Sequence, residues 1–203
     1  MNKLDILLEV CDYLANDNNQ KAKALIEKDY KHNYFKYAIR KMNAFEKLQI
    51  YIRDGFVDRY TGKRLLFPNV LRIMTSKLGN EVFPFHTNWK MSDCHIAYWH
   101  YMPTYDHLLP IARGGLDNPE NIVTTSQIMN SSKSNFLIEE LGWKLHDSGN
   151  IEEWDGMIFW YIKYRNKNNN ILKDKYIKNW DTALEKCISI GMLKNIRLTT
   201  AST

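Results

Sequence analysis

The chain has 203 residues, 44% of them apolar and 25% charged, with a net charge of +5. This length suits one domain or one and a half, and the ordinary globular composition excludes disordered, collagen-like and disulfide-scaffold classes. No apolar run approaches the roughly 18–20 residues that span a bilayer. Acids also interrupt the N-terminal stretch where a signal peptide is apolar, so the expectation is a soluble, cytoplasmic protein with no membrane partner.

In chain order, Leu4, Leu7, Leu8, Cys11 and Leu14 recur at helical spacing and predict a helix over 3–15. Asn16-Asp17-Asn18-Asn19 breaks it; a second helix fits 20–29 and a third 33–53, with Tyr34, Tyr37, Ala38, Met42, Phe45, Leu48 and Ile52 on one side and Gly55 as the stop. Residues 56–104 lose this period and read as short strands and ordered loops, with a helix at 69–78 and a strand from Tyr98 running into Asp106-His107. Ile122-Val123 is a short strand. Thr124-x-x-Gln127 matches a capping box, so a helix is expected from about Ser126 to Asn135. Asn150-x-x-Glu153 offers another helix start, with Ile151, Trp154, Ile158, Tyr161 and Ile162 as its stripe. Leu172, Tyr176, Trp180, Leu184 and Ile188 form a last stripe, ended by Gly191, and Trp154 and Trp180 are assigned to the core.

The division this suggests is 1–55, an N-terminal helical segment; 56–143, a central domain; and 144–203, a C-terminal helical segment. Their net charges are +2, zero and +3. Cys11, Cys94 and Cys187 form no Cys-x-x-Cys pair and read as reduced thiols packed as small hydrophobes.

The chemistry is concentrated in Asp106-His107, Gly114-Gly115, Glu120-Asn121 and Asn130-x-x-Lys133. An Asp beside a His at a strand end sets a hard oxygen ligand next to a base that titrates near neutrality. A short return strand and a helix bring a second oxygen ligand, Asn130, back to the same place. One carboxylate and one amide are too few for a closed cage. They suit one divalent ion, Mg²⁺ first and Mn²⁺ as the alternative, that keeps several waters and takes a substrate phosphate. His107 then deprotonates the attacking water.

These elements, in this order, resemble the HNH, or ββα-metal, endonuclease family over residues 105–143, down to Glu139-Glu140. The resemblance implies an α+β fold, a ββα-metal nuclease core flanked by N-terminal helices and a C-terminal helical hairpin. The activity it implies is metal-dependent hydrolysis of phosphodiester bonds in DNA that leaves 5′-phosphate ends. Carried over, Asp106 and Asn130 are metal ligands, His107 is the general base, Asn121 ties the loop behind it, and Lys133 and Arg113 lie near phosphate. Many members clamp this unit with a zinc knuckle. Here Asp58, Thr61, Ser126 and Met129 stand at the four Cys positions, so no structural zinc is expected and the aromatic-rich segment 65–104 is expected to supply the clamp.

A second metal site at Cys94, His95 and His100 lacks tight ligand spacing, and a His bonded to backbone is the preferred reading there. Lys163, Arg165, Lys167, Lys173, Lys175 and Lys178 form a basic run opposed only by Asp174, either a solvated face or a set of DNA phosphate contacts. The alternatives to a DNA endonuclease are a nicking, structure-selective or RNA-directed nuclease, or a nucleic-acid-binding module that does not cut.

Overall fold

The computed structural model describes residues 2–32 and 42–193. The chain divides into two compact units, residues 1–37 and 38–203. The first holds α1 (Lys3–Ala15) and α2 (Asn19–Asp29), packed on each other. Asn2 and Asp5 form a reciprocal capping box at the start of α1. Leu4 and Leu8 are exposed on it, and Cys11, expected inside, is exposed as well.

The second unit is α+β and mostly helical. Its described elements are α3 (Ala44–Arg53), α4 (Pro68–Leu78), α5 (Ile96–Tyr101), β1 (Pro103–His107), β2 (Ile122–Ser126), α6 (Gln127–Lys133), α7 (Ile158–Lys167) and α8 (Lys175–Ser189). The expected third helix thus begins at Ala44, capped by Asn43 and Glu46; Tyr34, Tyr37 and Ala38 lie outside the described residues. Leu48, Tyr51, Phe67, Tyr161, Leu184 and Trp180 meet in the main core, and Trp154 packs against it with its indole N–H donated to the Leu65 carbonyl. Gly55 closes α3 at φ +61°; a Cβ there would come 2.3 Å from the Gly149 carbonyl carbon, so only glycine admits the crossing chain.

Three expectations about elements are corrected. The strand expected from Tyr98 is helix α5: His95 Nδ1 accepts the Ala97 N–H, and Tyr98 drops into a second core cluster with Leu71 and Phe83. The stripe from Ile151 to Ile162 is not one helix. Asn150 caps only a turn, and α7 starts at Ile158, after Asp155 accepts the amides of Met157 and Phe159. The cap of α6 is Ser126, which accepts the Met129 N–H, while Thr124 and Thr125 belong to β2.

β1 and β2 form a two-stranded antiparallel sheet with Tyr105 opposite Thr124 and His107 opposite Ile122. Such a pair leaves β2 a bare outer edge, and all five of its residues are buried. Unpaired buried amides and carbonyls are costly. Residues 53–59 seal this edge. The Arg53 guanidinium donates to the Ile122 carbonyl, Asp54 accepts the Thr124 N–H at 2.7 Å, the Arg59 N–H donates to the Thr124 carbonyl, and Asp58 accepts the Ser126 N–H at 3.0 Å.

Asp58 also corrects the expected clamp. The turn at 58–63 is held to β2 by the Arg59 N–H and by this carboxylate, 1% exposed, which accepts from the Tyr60 and Ser126 amides and the Thr125 hydroxyl. Of the aromatics in 65–104, Phe67 joins the main core and Phe83, Phe85, Trp89, Tyr98 and Trp99 gather in the second cluster. Asp58→Ala strands three buried donors at about 1–3 kcal/mol each. The expected fall in Tm is at least about 6 °C, at roughly 2–4 °C per kcal/mol, read by calorimetry; a shift under about 2 °C would deny Asp58 its clamping role.

Candidate active site

β1, the loop 108–121, β2 and α6 set the site. Successive side chains of a strand point to opposite faces. Tyr105 shares the face of Thr124, whose hydroxyl bonds the Ile50 carbonyl of α3, and Lys47 of α3 lies 5.5 Å from the Tyr105 ring. Asp106 therefore looks the other way, toward α6. Its Oδ2 accepts the Tyr60 hydroxyl at 2.7 Å and lies 3.0 Å from Lys133 Nζ, which leaves Oδ1 free of both. Burial, then the Asp106 charge, push the Tyr60 hydroxyl far above its ordinary range, so it stays protonated and donates.

Lys133 is fully buried, and its ammonium also donates to the His107 carbonyl at 2.7 Å. The expectation that it lies near phosphate is corrected: it ties α6 to the end of β1 and neutralises Asp106 from inside. Asn130, half-buried, sits one turn before Lys133, on the helix face that α6 presents to β1.

His107 leaves β1 on the Tyr105 side, the two rings 6.1 Å apart, and its Nε2 is 3.0 Å from Asp117 Oδ1. An ionised carboxylate only accepts, so beside it the neutral ring is the tautomer with the proton on Nε2 and the lone pair that a base needs on Nδ1. Sequence reasoning missed Asp117, which lies ten residues on in a turn-rich loop and reads as a turn residue. Its other oxygen, Oδ2, is buried without a hydrogen-bond partner.

Asn121 closes the loop. Its side chain accepts the Leu109 N–H and donates to the carbonyls of Leu109 and Leu116. Gly115 lies against this knot: a Cβ would meet the Leu109 carbonyl oxygen at 1.9 Å. Arg113 is engaged bidentately by Glu140, and Glu140 also accepts the Leu137 N–H, so Arg113 braces the segment after α6. The structure thus brings together Asp106, Tyr60 and Lys133, and separately His107 and Asp117. The imidazole and the Asp106 carboxylate leave adjacent residues on opposite faces of the strand end.

Among the described residues no three His, Cys, Asp or Glu side chains gather as a metal group. A cation here would rest on Asp106 Oδ1 and the Asn130 amide oxygen, which fits a hard ion that keeps most of its waters and does not fit zinc. His95 stacks on Phe83 with ring centroids 4.1 Å apart and spends Nδ1 on the α5 cap, while Cys94 Sγ accepts the His86 N–H. Elemental analysis of purified protein is expected to find no stoichiometric zinc, because Asp58, Thr61, Ser126 and Met129 supply no thiolate or imidazole. One tightly held zinc per chain would overturn that and point back to Cys94, His95 and His100.

The basic run also changes on folding. Arg165 is paired with Asp181 at 2.8 Å and with Glu185, both from α8, and Lys163 lies over the Phe159 ring. Lys167, Lys173, Lys175 and Lys178 are exposed. No family model, curated protein or solved structure matches the chain. No described helix is long and apolar enough to cross a membrane.

Proposed function

We propose that this protein is an HNH-type endonuclease that hydrolyses phosphodiester bonds in DNA with one divalent metal, Mg²⁺ or Mn²⁺. The observation that carries the reading is the end of β1: Asp106 is held through Oδ2 by Tyr60 and Lys133, which keeps Oδ1 outside both contacts, and the next residue, His107, has Nε2 engaged by Asp117 and Nδ1 outside that contact. A phosphodiester lying across this strand end meets both faces, with His107 accepting a proton from water on one side. The ion, on Asp106 and Asn130, would supply charge stabilisation to the phosphorane and the leaving 3′-oxygen. Asn121 and Gly115 keep the loop, and so Asp117, in register behind the imidazole. Tyr60 and Lys133 hold Asp106 in place. Ends bearing 5′-phosphate follow from the family resemblance.

The test is purified protein with plasmid and Mg²⁺ or Mn²⁺, a chelator control and mapping of the cut ends. Metal-dependent cuts with 5′-phosphate support the reading, and no cleavage of DNA or RNA overturns it. A second reading, a nucleic-acid-binding module that does not cut, is favoured by Lys133, whose ammonium already neutralises Asp106 without a metal. Binding without cleavage in the same assay selects it.

DNA binding is expected to draw on the exposed lysines. Replacing Lys173, Lys175 and Lys178 with Gln should flatten the slope of log K against log salt by about two to three units if all three touch phosphates, at roughly 0.9 per contact. Affinity should fall alike for every sequence, because phosphate contacts position without reading bases. An unchanged slope would assign these lysines to solvent.

A further inference from the structure

We propose that a cleft beside β1 and α6 holds one unstacked nucleobase of the strand being cut, so that DNA with an unpaired nucleotide is the substrate class; this rests on the nuclease reading above. The cleft measures about 380 Å³, at the small end of the roughly 300–1,000 Å³ of ligand sites. Tyr51 and Trp180 lie in its floor, with rings stacked 6.0 Å apart, and Trp89 and Tyr176 in its walls. Gln127 and Asn179, both with amide side chains, line it too, as does Lys47, whose ammonium lies over the Tyr105 ring. A nucleobase is a flat π-system edged with hydrogen-bond donors and acceptors. Aromatic walls stack any base, and amides meet its edges. An acyl chain would make no use of the amide residues, and a free phosphate would make none of the Trp89 and Tyr176 rings.

The cleft shares residues with the candidate chemistry. Thr104 lines it two residues before Asp106 in β1, about 7 Å along the strand. Gln127 lines it three residues before Asn130, about 4.5 Å along α6. A DNA strand rises about 3.4 Å per nucleotide, so with a phosphate at Asp106 the base that reaches the cleft is about one or two nucleotides along the strand. A base paired in a duplex cannot enter; an unpaired or extruded one can. Two further features agree. Trp89 holds φ at +52°, where a bulky side chain is seldom found, and edge-on contacts with Phe85 and Trp99 keep it there, so this wall is set before any ligand arrives. Lys175 and Lys178, both exposed, flank Tyr176 and Asn179 on the first turn of α8, where the phosphates next to the base would run. This gives part of the basic run a specific task.

The test uses the full chain in EDTA with a duplex carrying one unpaired 5-iodouracil, irradiated and mapped by mass spectrometry. The expected cross-link is to Trp89 or Tyr176, with at least about tenfold less from the same base in a fully paired duplex. Gln127→Ala with Asn179→Ala, side chains that are half-buried and exposed, should lower the cross-link and the preference for the unpaired nucleotide by about tenfold. Cross-links only outside the cleft, equal yield from the paired duplex, or a double variant that behaves as wild type would each overturn the proposal. Cross-linking needs no metal. A protein that cross-links at the cleft but cuts nothing keeps the base site and loses the nuclease reading. One that cuts without a cleft cross-link loses the base site alone, and one that does neither loses both.

Discussion

His107→Ala is expected to lower DNA cleavage by at least about 100-fold, the low end of what a positioned general base contributes. Fold and DNA affinity should be little changed. The imidazole contacts the Tyr105 ring edge and Asp117, and the main-core cluster does not include it. Apart from the Asp117 contact, what the site takes from His107 is its backbone: the carbonyl that Lys133 Nζ bonds, which alanine keeps. Thermal unfolding and binding in EDTA control for structure, and single-turnover cleavage with Mg²⁺ reads the chemistry. Rates within a few-fold of wild type would remove His107 as the base.

Why these residues are legible in the sequence, and others are not, follows from chain distance. Asp106, His107, Asn121 and Asn130 lie in one hairpin and the helix after it, so spacing along the chain nearly fixes their placement. The edge seal of β2 is different. Arg53, Asp54, Asp58 and Arg59 reach it across about 65–70 residues of sequence; Arg53, Asp54 and Arg59 read alone as exposed charges, and Asp58 as the residue standing at a zinc-knuckle Cys position. Arg165 falls among the phosphate contacts when only near neighbours enter the charge count, whereas Asp181 and Glu185 arrive from the next helix. Helix α5 reads as a strand because Tyr98, Trp99 and Tyr101 favour strands, a preference that tertiary burial of Tyr98 overrides. Lys133 is legible as a position and not as a role: its burial depends on Asp106 and the His107 carbonyl being ready to receive it.

Asp117→Asn is expected to reduce cleavage by about 10–100-fold, the usual range for a residue that orients a site from behind. The rate constant should carry the loss, with substrate KM nearly unchanged, because Asp117 meets the imidazole and not DNA. The ionised carboxylate can only accept, which fixes the proton on Nε2 and the lone pair on Nδ1. An amide can also donate, so the substituted side chain admits the opposite tautomer, in which Nδ1 carries the proton and cannot act as a base. A purely structural loop residue would not change that balance. The loop has its own knot in Asn121 and Gly115, which the substitution leaves alone. The decisive readout is therefore the ¹⁵N spectrum of the His107 imidazole, taken at a pH where the ring is neutral. Wild type should report the Nε2–H form, and Asp117→Asn a mixture or the Nδ1–H form. An unchanged tautomer with an unchanged rate constant would leave Asp117 a loop residue and return the question of what orients His107 to its backbone neighbours.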